Sequence, residues 1–160
     1  MPWKVDTAGF NASLDAMILR LDAATRQASS AGAAVIVKAA VLGFNGQHPP
    51  GTSRTAGGNR PQSVSEKLKG SIHILEPPMS FGRGIWRTRV APTMIYGRRI
   101  ELGFTGQDAL GRNFTPHLND KGVMTKGDPP YPYLRPGVKR AEPALQGIFE
   151  YYWNAALAGA

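Results

Sequence analysis

The feature that most constrains this chain is an apolar pattern at helical spacing that runs from about residue 11 to residue 44. Leu14, Met17, Ile18, Leu21, Ala24 and Ala28 fall at i, i+3, i+4 and i+7 spacing, and Gly32, Val35, Ile36, Ala39 and Leu42 continue the phase. The spacing predicts one long helix over residues 11–44, with Asn11 or Ser13 as N-cap. Ser29 to Gly32 mark a predicted bend or break. The many alanines permit close approach of a neighbour, either the chain's own sheet or another subunit.

At 160 residues the chain has the size of a single domain, 1–160, with enough length to bury a core. Its 19 glycines and 13 prolines predict long irregular loops, at about 45–63 and 105–130. Loops of that length are commonly functional, and these two are expected to bind partners and to order on binding. The absence of cysteine excludes a disulfide framework, a thiolate zinc site and a cysteine nucleophile. No apolar run approaches the length needed to span a bilayer, and MPWKVDTAGF lacks the apolar core of a signal peptide. A soluble protein made in a cytoplasm, with no membrane partner, is therefore expected.

The formal net charge of +8 suggests anionic partners. It is concentrated between residues 54 and 112, where Arg54, Arg60, Lys67, Lys69, Arg83, Arg87, Arg89, Arg98, Arg99 and Arg112 face only Glu66, Glu76, Glu101 and Asp108.

Beyond the first loop, Ser63 and Glu66 form a candidate capping box for a short helix ending near Gly70. Ser71–Leu75 alternates like a strand and should stop at Glu76-Pro77-Pro78. A turn at Gly82–Gly84 leads to a second strand, in which Ile85, Arg87 and Arg89 alternate with Trp86, Thr88 and Val90. The two make a predicted antiparallel hairpin with a basic side. Residues 93–103 read as a short helix closed by Gly103. Phe104–Thr115 reads as a further hairpin around Gly111, and Thr115–Asp128 as loop.

Pro129-Pro130-Tyr131-Pro132-Tyr133 must be extended, and because it runs directly into the last helix it reads as a rigid tether aiming that helix in preference to a polyproline ligand for aromatic grooves. That helix is predicted over residues 138–158, with Pro143 in its first turn or kinking it. Leu145, Ile148, Phe149, Tyr152, Trp153 and Ala156 form its apolar stripe. Tyr151 should point away from that stripe, towards a subunit contact.

Catalytic signatures are missing. His48, His73 and His117 have no metal-ligand spacing, Ala56-Gly57-Gly58-Asn59 lacks the lysine and hydroxyl of a phosphate loop, and there is no nucleophile elbow. The scattered carboxylates make no evident acid/base pair. The expectation is a protein that is not an enzyme, with no catalytic residue, no cofactor and no metal.

Three short motifs carry a family resemblance. Tyr96-Gly97-Arg98-Arg99-Ile100-Glu101-Leu102-Gly103 resembles the Tyr-x4-Glu-x-Gly signature of the small neck proteins of long-tailed bacteriophages, the tail-completion or head–tail joining proteins. Pro132-Tyr133-Leu134-Arg135-Pro136 resembles that family's Pro-aromatic-Leu-Arg-Pro box before its last helix, and Leu68-Lys69-Gly70-Ser71-Ile72 its Leu-x-x-Ser-Ile step into the first strand. The order of elements is also similar, over roughly residues 8–157. Two features depart from the pattern: Pro50-Gly51-Thr52 stands where Pro-x-x-Thr-Gly is expected, and residues 105–130 are longer than the usual connection.

The resemblance implies a non-enzymatic structural protein of the virion neck, made in the host cytoplasm. It implies a homo-oligomeric, sixfold ring between the head connector and the tail terminator or tail tube, with genomic DNA passing through the lumen. The expected fold is α+β, a small antiparallel sheet packed by the long N-terminal helix and the C-terminal helix. The motif and interface candidates are Tyr96, Glu101, Gly103, Pro132, Tyr133, Leu134, Arg135, Pro136, Tyr151 and Trp153. Among them the Arg135 guanidinium is expected to pair with Glu101, within the subunit or across to a neighbour. Alternatives are a tail terminator capping the tube, or a small basic nucleic-acid-binding protein using the hairpin.

Overall fold

The structure, a computed structural model, describes residues 7–44, 66–82, 84–106, 111, 117–118, 124–125 and 130–159. The elements run α1 (Thr7–Val41), α2 (Lys67–Gly70), β1 (Ile72–Ser80), β2 (Trp86–Pro92), α3 (Gly97–Leu102), β3 (His117–Leu118), β4 (Met124–Thr125) and α4 (Leu134–Ala158). This is an α+β fold. The long helix α1 packs on α4 and on the antiparallel β1–β2 sheet.

Helix α1 starts four residues earlier than the sequence suggests. Asn11 and Ser13 are interior positions, and Ser13 Oγ donates back to the Gly9 carbonyl at 3.0 Å rather than capping. The helix also runs unbroken through Ser29–Gly32. These residues are small because of what they meet. Ser29 Oγ lies 2.6 Å from Thr88 Oγ1, and a Cβ on Gly32 would come within 3.1 Å of Leu145.

Helices α1 and α4 are antiparallel. Arg20 donates to the Gly159 carbonyl at one end, and Trp153 Nε1 donates to Thr25 Oγ1 at 3.0 Å. At the other end Arg140 Nη2 donates to the Ala39 carbonyl at 2.8 Å. The buried face of α1 is Ala24, Ala28, Gly32, Ala33 and Ala40, a seam shallow enough for α4 to lie close. At Gly137 the approach is tightest, since a Cβ there would sit 2.7 Å from the Ala40 Cα. That contact explains why α4 contains a glycine in its first turns.

The strand β1 does not stop at Pro77-Pro78 but runs through both to Ser80. Its register against β2 shifts between Ile74 and Glu76 and again between Glu76 and Met79. These bulges lie on the edge of a two-stranded sheet, where a residue without an N–H is tolerated. The turn at Gly82 and Gly84 has positive φ at both glycines (83° and 73°), with Phe81 N–H donating to the Ile85 carbonyl at 2.9 Å.

Trp86, Thr88 and Val90 face inward and Arg87 and Arg89 outward. Both arginines lean on Glu76, at 3.8 and 3.0 Å, so the basic side is partly neutralised within the hairpin. The short helix α2 has Glu66 at its N-cap in the left-handed region, without a side-chain cap. Ser63 lies outside the described residues, as do the 45–63 loop and most of 105–130. The segment 115–128, read as loop, contains the antiparallel pair β3–β4, His117 opposite Thr125. The hairpin around Gly111 falls largely outside the described residues.

The last helix begins at Leu134, not Val138. Pro136 occupies its first turn, where a missing N–H costs nothing, and Pro143 is interior and exposed. The core gathers Ala40, Leu68, Ile72 and Tyr133, with Val37, Phe44, Val90 and Ile100 packed around them.

Candidate functional site

The residues singled out in the sequence meet at one joint, between α3 and the start of α4. Tyr96 is the N-cap of helix α3, its carbonyl accepting from Ile100 N–H at 3.0 Å, and Gly103, with φ 75°, is the C-cap. That positive φ reverses the chain without strain only for a residue like glycine. Between these ends the turn of α3 aims Glu101 inward, where it is one of two buried polar residues among the described ones.

The Glu101 carboxylate faces the N-terminus of α4. Its Oε2 accepts from the backbone N–H groups of Tyr133 (2.7 Å) and Leu134 (2.8 Å), and its Oε1 accepts from Arg135 N–H (2.9 Å). A helix leaves its first N–H groups without helical partners, and α4 has no side-chain cap of its own. Glu101 supplies that cap from another helix. Pro136 has no N–H to satisfy, and Gly137 N–H donates to the Tyr133 carbonyl at 3.1 Å. The negative carboxylate also opposes the positive end of the α4 dipole.

Arg135 does meet Glu101, but through its backbone N–H rather than its guanidinium, which is exposed and makes no ion pair among the described residues. Within the chain, the contact between Arg135 and Glu101 is therefore backbone to side chain rather than side chain to side chain. The helix start takes up the carboxylate's lone pairs first.

Tyr133 completes the joint. It is fully buried, its ring lies 5.1 Å from that of Phe44, and its hydroxyl donates to the Gly97 carbonyl at 3.1 Å. Burial, and then the negative charge of Glu101, push its pKa above the ordinary tyrosine value. Tyr131 N–H donates to the Ile100 carbonyl at 2.7 Å, so the tether that ends at α4 is strapped along α3. Pro132 and Leu134 are half-buried beside it.

Gly97 is not among the site residues expected from sequence, yet a Cβ there would collide with the Pro92 ring and lie 3.1 Å from the Tyr133 hydroxyl. Its place inside the Tyr96–Gly103 motif is the available signal. The motif Leu68–Ile72 joins the same core, with Ser71 Oγ donating to the Leu68 carbonyl at 2.7 Å. Tyr151 and Trp153 lie elsewhere, on the distal half of α4. Tyr151 is 69 % exposed, while Trp153 is tied to α1 through Thr25.

Among the described residues no group of three or more histidines or carboxylates is placed to hold a metal ion, and no helix is long and apolar enough to cross a membrane. The site is an architectural joint that fixes the direction of α4 relative to α3 and α1. A scan of protein-family models, a search of curated proteins and a search of solved structures each find no match to this chain.

Proposed function

We propose that this chain is a structural protein of the neck of a long-tailed bacteriophage, forming a homo-oligomeric ring of six copies that joins the head connector to the tail tube. The observation that carries the reading is the convergence of the three resembling motifs. Leu68 and Ile72, Glu101, and Tyr133 to Arg135 are far apart in sequence and lie around one joint and core. Motifs that meet as one structural unit support a shared architecture better than three separate short matches.

The exposed apolar residues support assembly. Phe10, Ile18 and Leu19 on α1 and Tyr151 on α4 are more than half exposed, and such surfaces mark interaction sites. In this reading the ring closes by heterologous contacts between copies, loops dock the rings above and below, and DNA passes through the lumen. No catalysis and no cofactor are involved.

The test is a nonsense mutation in the phage gene that encodes the chain. DNA-filled heads and free tails of normal length that fail to join are the expected result. Intact infectious particles lacking the chain would refute the reading, and tails of irregular length would favour the tail terminator. Steep loss of nonspecific DNA binding across a salt series would instead favour the nucleic-acid reading.

A further inference from the structure

The sheet has an open side. Thr93 N–H donates to the Ser71 carbonyl and the Ile85 carbonyl accepts from Phe81, so the odd-numbered residues of β2 turn their backbone groups towards β1. The extra residues of the bulges all lie on β1, which leaves the alternation in β2 intact. Trp86, Thr88 and Val90 therefore direct their N–H and C=O groups to the other edge, where the described residues place no strand. β1 is blunted by two prolines, whereas β2 has none before Pro92.

Along this open edge runs a groove of about 420 Å³, floored by Ala33 and Ile36 of α1 and walled on the far side by Val138 and Phe149 of α4. Both Thr88, which faces inward, and Arg87, which faces outward, line it, so the groove follows the strand edge itself. A strand edge opposite a helix, above an apolar floor, is suited to an extended segment added as a further strand.

Resting on the ring reading, we infer that the groove takes residues Pro2–Asp6 of a second copy of this chain, added as a strand to the open edge of β2. The segment alternates as a half-buried strand must, Trp3 and Val5 against Lys4 and Asp6. Trp3 supplies a large anchor for the apolar floor. Asp6 falls on the outer face with Arg87 and Arg89, which among the described residues share the single carboxylate of Glu76.

The donor must be another copy. Five residues extend at most ~17 Å from Thr7, whereas Asp22, which holds Trp86 at the start of β2, lies about 22 Å along α1 and Ser29 about 33 Å. The first turns of α1 project beyond the α4 C-cap residue Gly159, which Arg20 contacts, and expose Phe10 and Ile18. They would carry the segment to the neighbour and pack beside it. The donated strand and the receiving groove are different surfaces, so the contact repeats head to tail and can close a ring.

The chain has no cysteine, which allows a direct test. Arg87→Cys is combined in the full-length chain with Lys4→Cys or with Asp6→Cys, since both partners lie on the outer face, and the concentrated protein is oxidised. The expected result, for at least one pair, is a ladder of disulfide-linked oligomers on a non-reducing gel. Arg87→Cys alone should stop at dimers, and adding Trp3→Ser should abolish the ladder. No ladder with either pair, or cross-linking only within the monomer, overturns the inference. A ladder unaffected by Trp3→Ser also overturns it. Strand donation by residues 105–130 or by another protein would leave the thiol of Arg87→Cys protected from labelling even in a variant lacking residues 2–6, again overturning it. A ladder in solution with no copy of the chain in purified particles would sink the neck reading and leave the strand exchange standing. A neck ring without the ladder would do the reverse.

Discussion

Leu134 and Arg135 donate their backbone N–H groups to a carboxylate on a different helix, and the energetics of the joint follow from that choice of atoms. Replacing Glu101 by alanine leaves the N–H groups of residues 133, 134 and 135 without their acceptor at a largely buried helix start. We expect a loss of about 3 kcal/mol in unfolding free energy, read by denaturant titration. Arg135→Met removes only an exposed guanidinium and should cost less than about 0.5 kcal/mol. The double mutant should be additive, because the Arg135 side chain takes no part in the contact. Coupling above about 1 kcal/mol would restore the guanidinium to the joint. Tyr133 adds a pH dependence. Its hydroxyl is held neutral in the fold by burial and by the charge of Glu101, while in the unfolded chain it ionises near its ordinary value of 10.0. The resulting stability is complete below that value and is lost as the pH rises above it, because ionisation then favours the unfolded chain. Denaturation midpoints should therefore fall between about pH 9 and pH 11, and fall less in Tyr133→Phe.

Two glycines in one helix predict opposite outcomes at the scale of elements. A Cβ on Gly137 would meet the Ala40 backbone at 2.7 Å, so Gly137→Ala must push α4 away from α1. A loss of about 1–3 kcal/mol is expected, as for other overpacked contacts. Gly147 has nothing within 4 Å of such a Cβ, and Gly147→Ala should instead raise stability by about 0.5–1 kcal/mol through helix propensity. Thermal melts of the two variants check both signs. The same positions show what sequence can and cannot disclose. Periodicity places α1, α4 and the inward face of β2, because burial on one face leaves a regular trace in the residues. It misplaces the start of α4, because Pro136-Gly137 reads locally as a break. Only the crossing with Ala40 makes that glycine necessary, and only the helix start makes that proline harmless. Pro77-Pro78 misleads in the same way, since the sequence does not say that β1 is a bulged edge. The motifs point to Glu101 and Tyr133 but not to the atoms they use, which depend on how α3 and α4 are brought together.

At the scale of the whole molecule, the helix pair is longer than its own core. The buried cluster lies at the Ala40 end of α1, while Phe10, Ile18 and Leu19 at the opposite end are 68 %, 53 % and 70 % exposed. A chain with net charge +8 that serves nucleic acid would associate through phosphate contacts and lose affinity steeply with salt. One that assembles through the projecting end of α1 would bury apolar area, and its association should hold or strengthen between about 0.1 and 0.5 M salt. The double substitution Phe10→Ser with Ile18→Ser separates these cases. Both side chains are exposed in the single chain, so the substitution should change unfolding free energy by no more than about 0.5 kcal/mol per site. Self-association, measured by sedimentation velocity, should nevertheless weaken by about tenfold or more, because each buried side chain of this size contributes roughly 1.5–3 kcal/mol. If stability falls together with association, those residues belong to the fold of the monomer and not to a contact between copies. If neither changes, the projecting end of α1 is not an assembly surface.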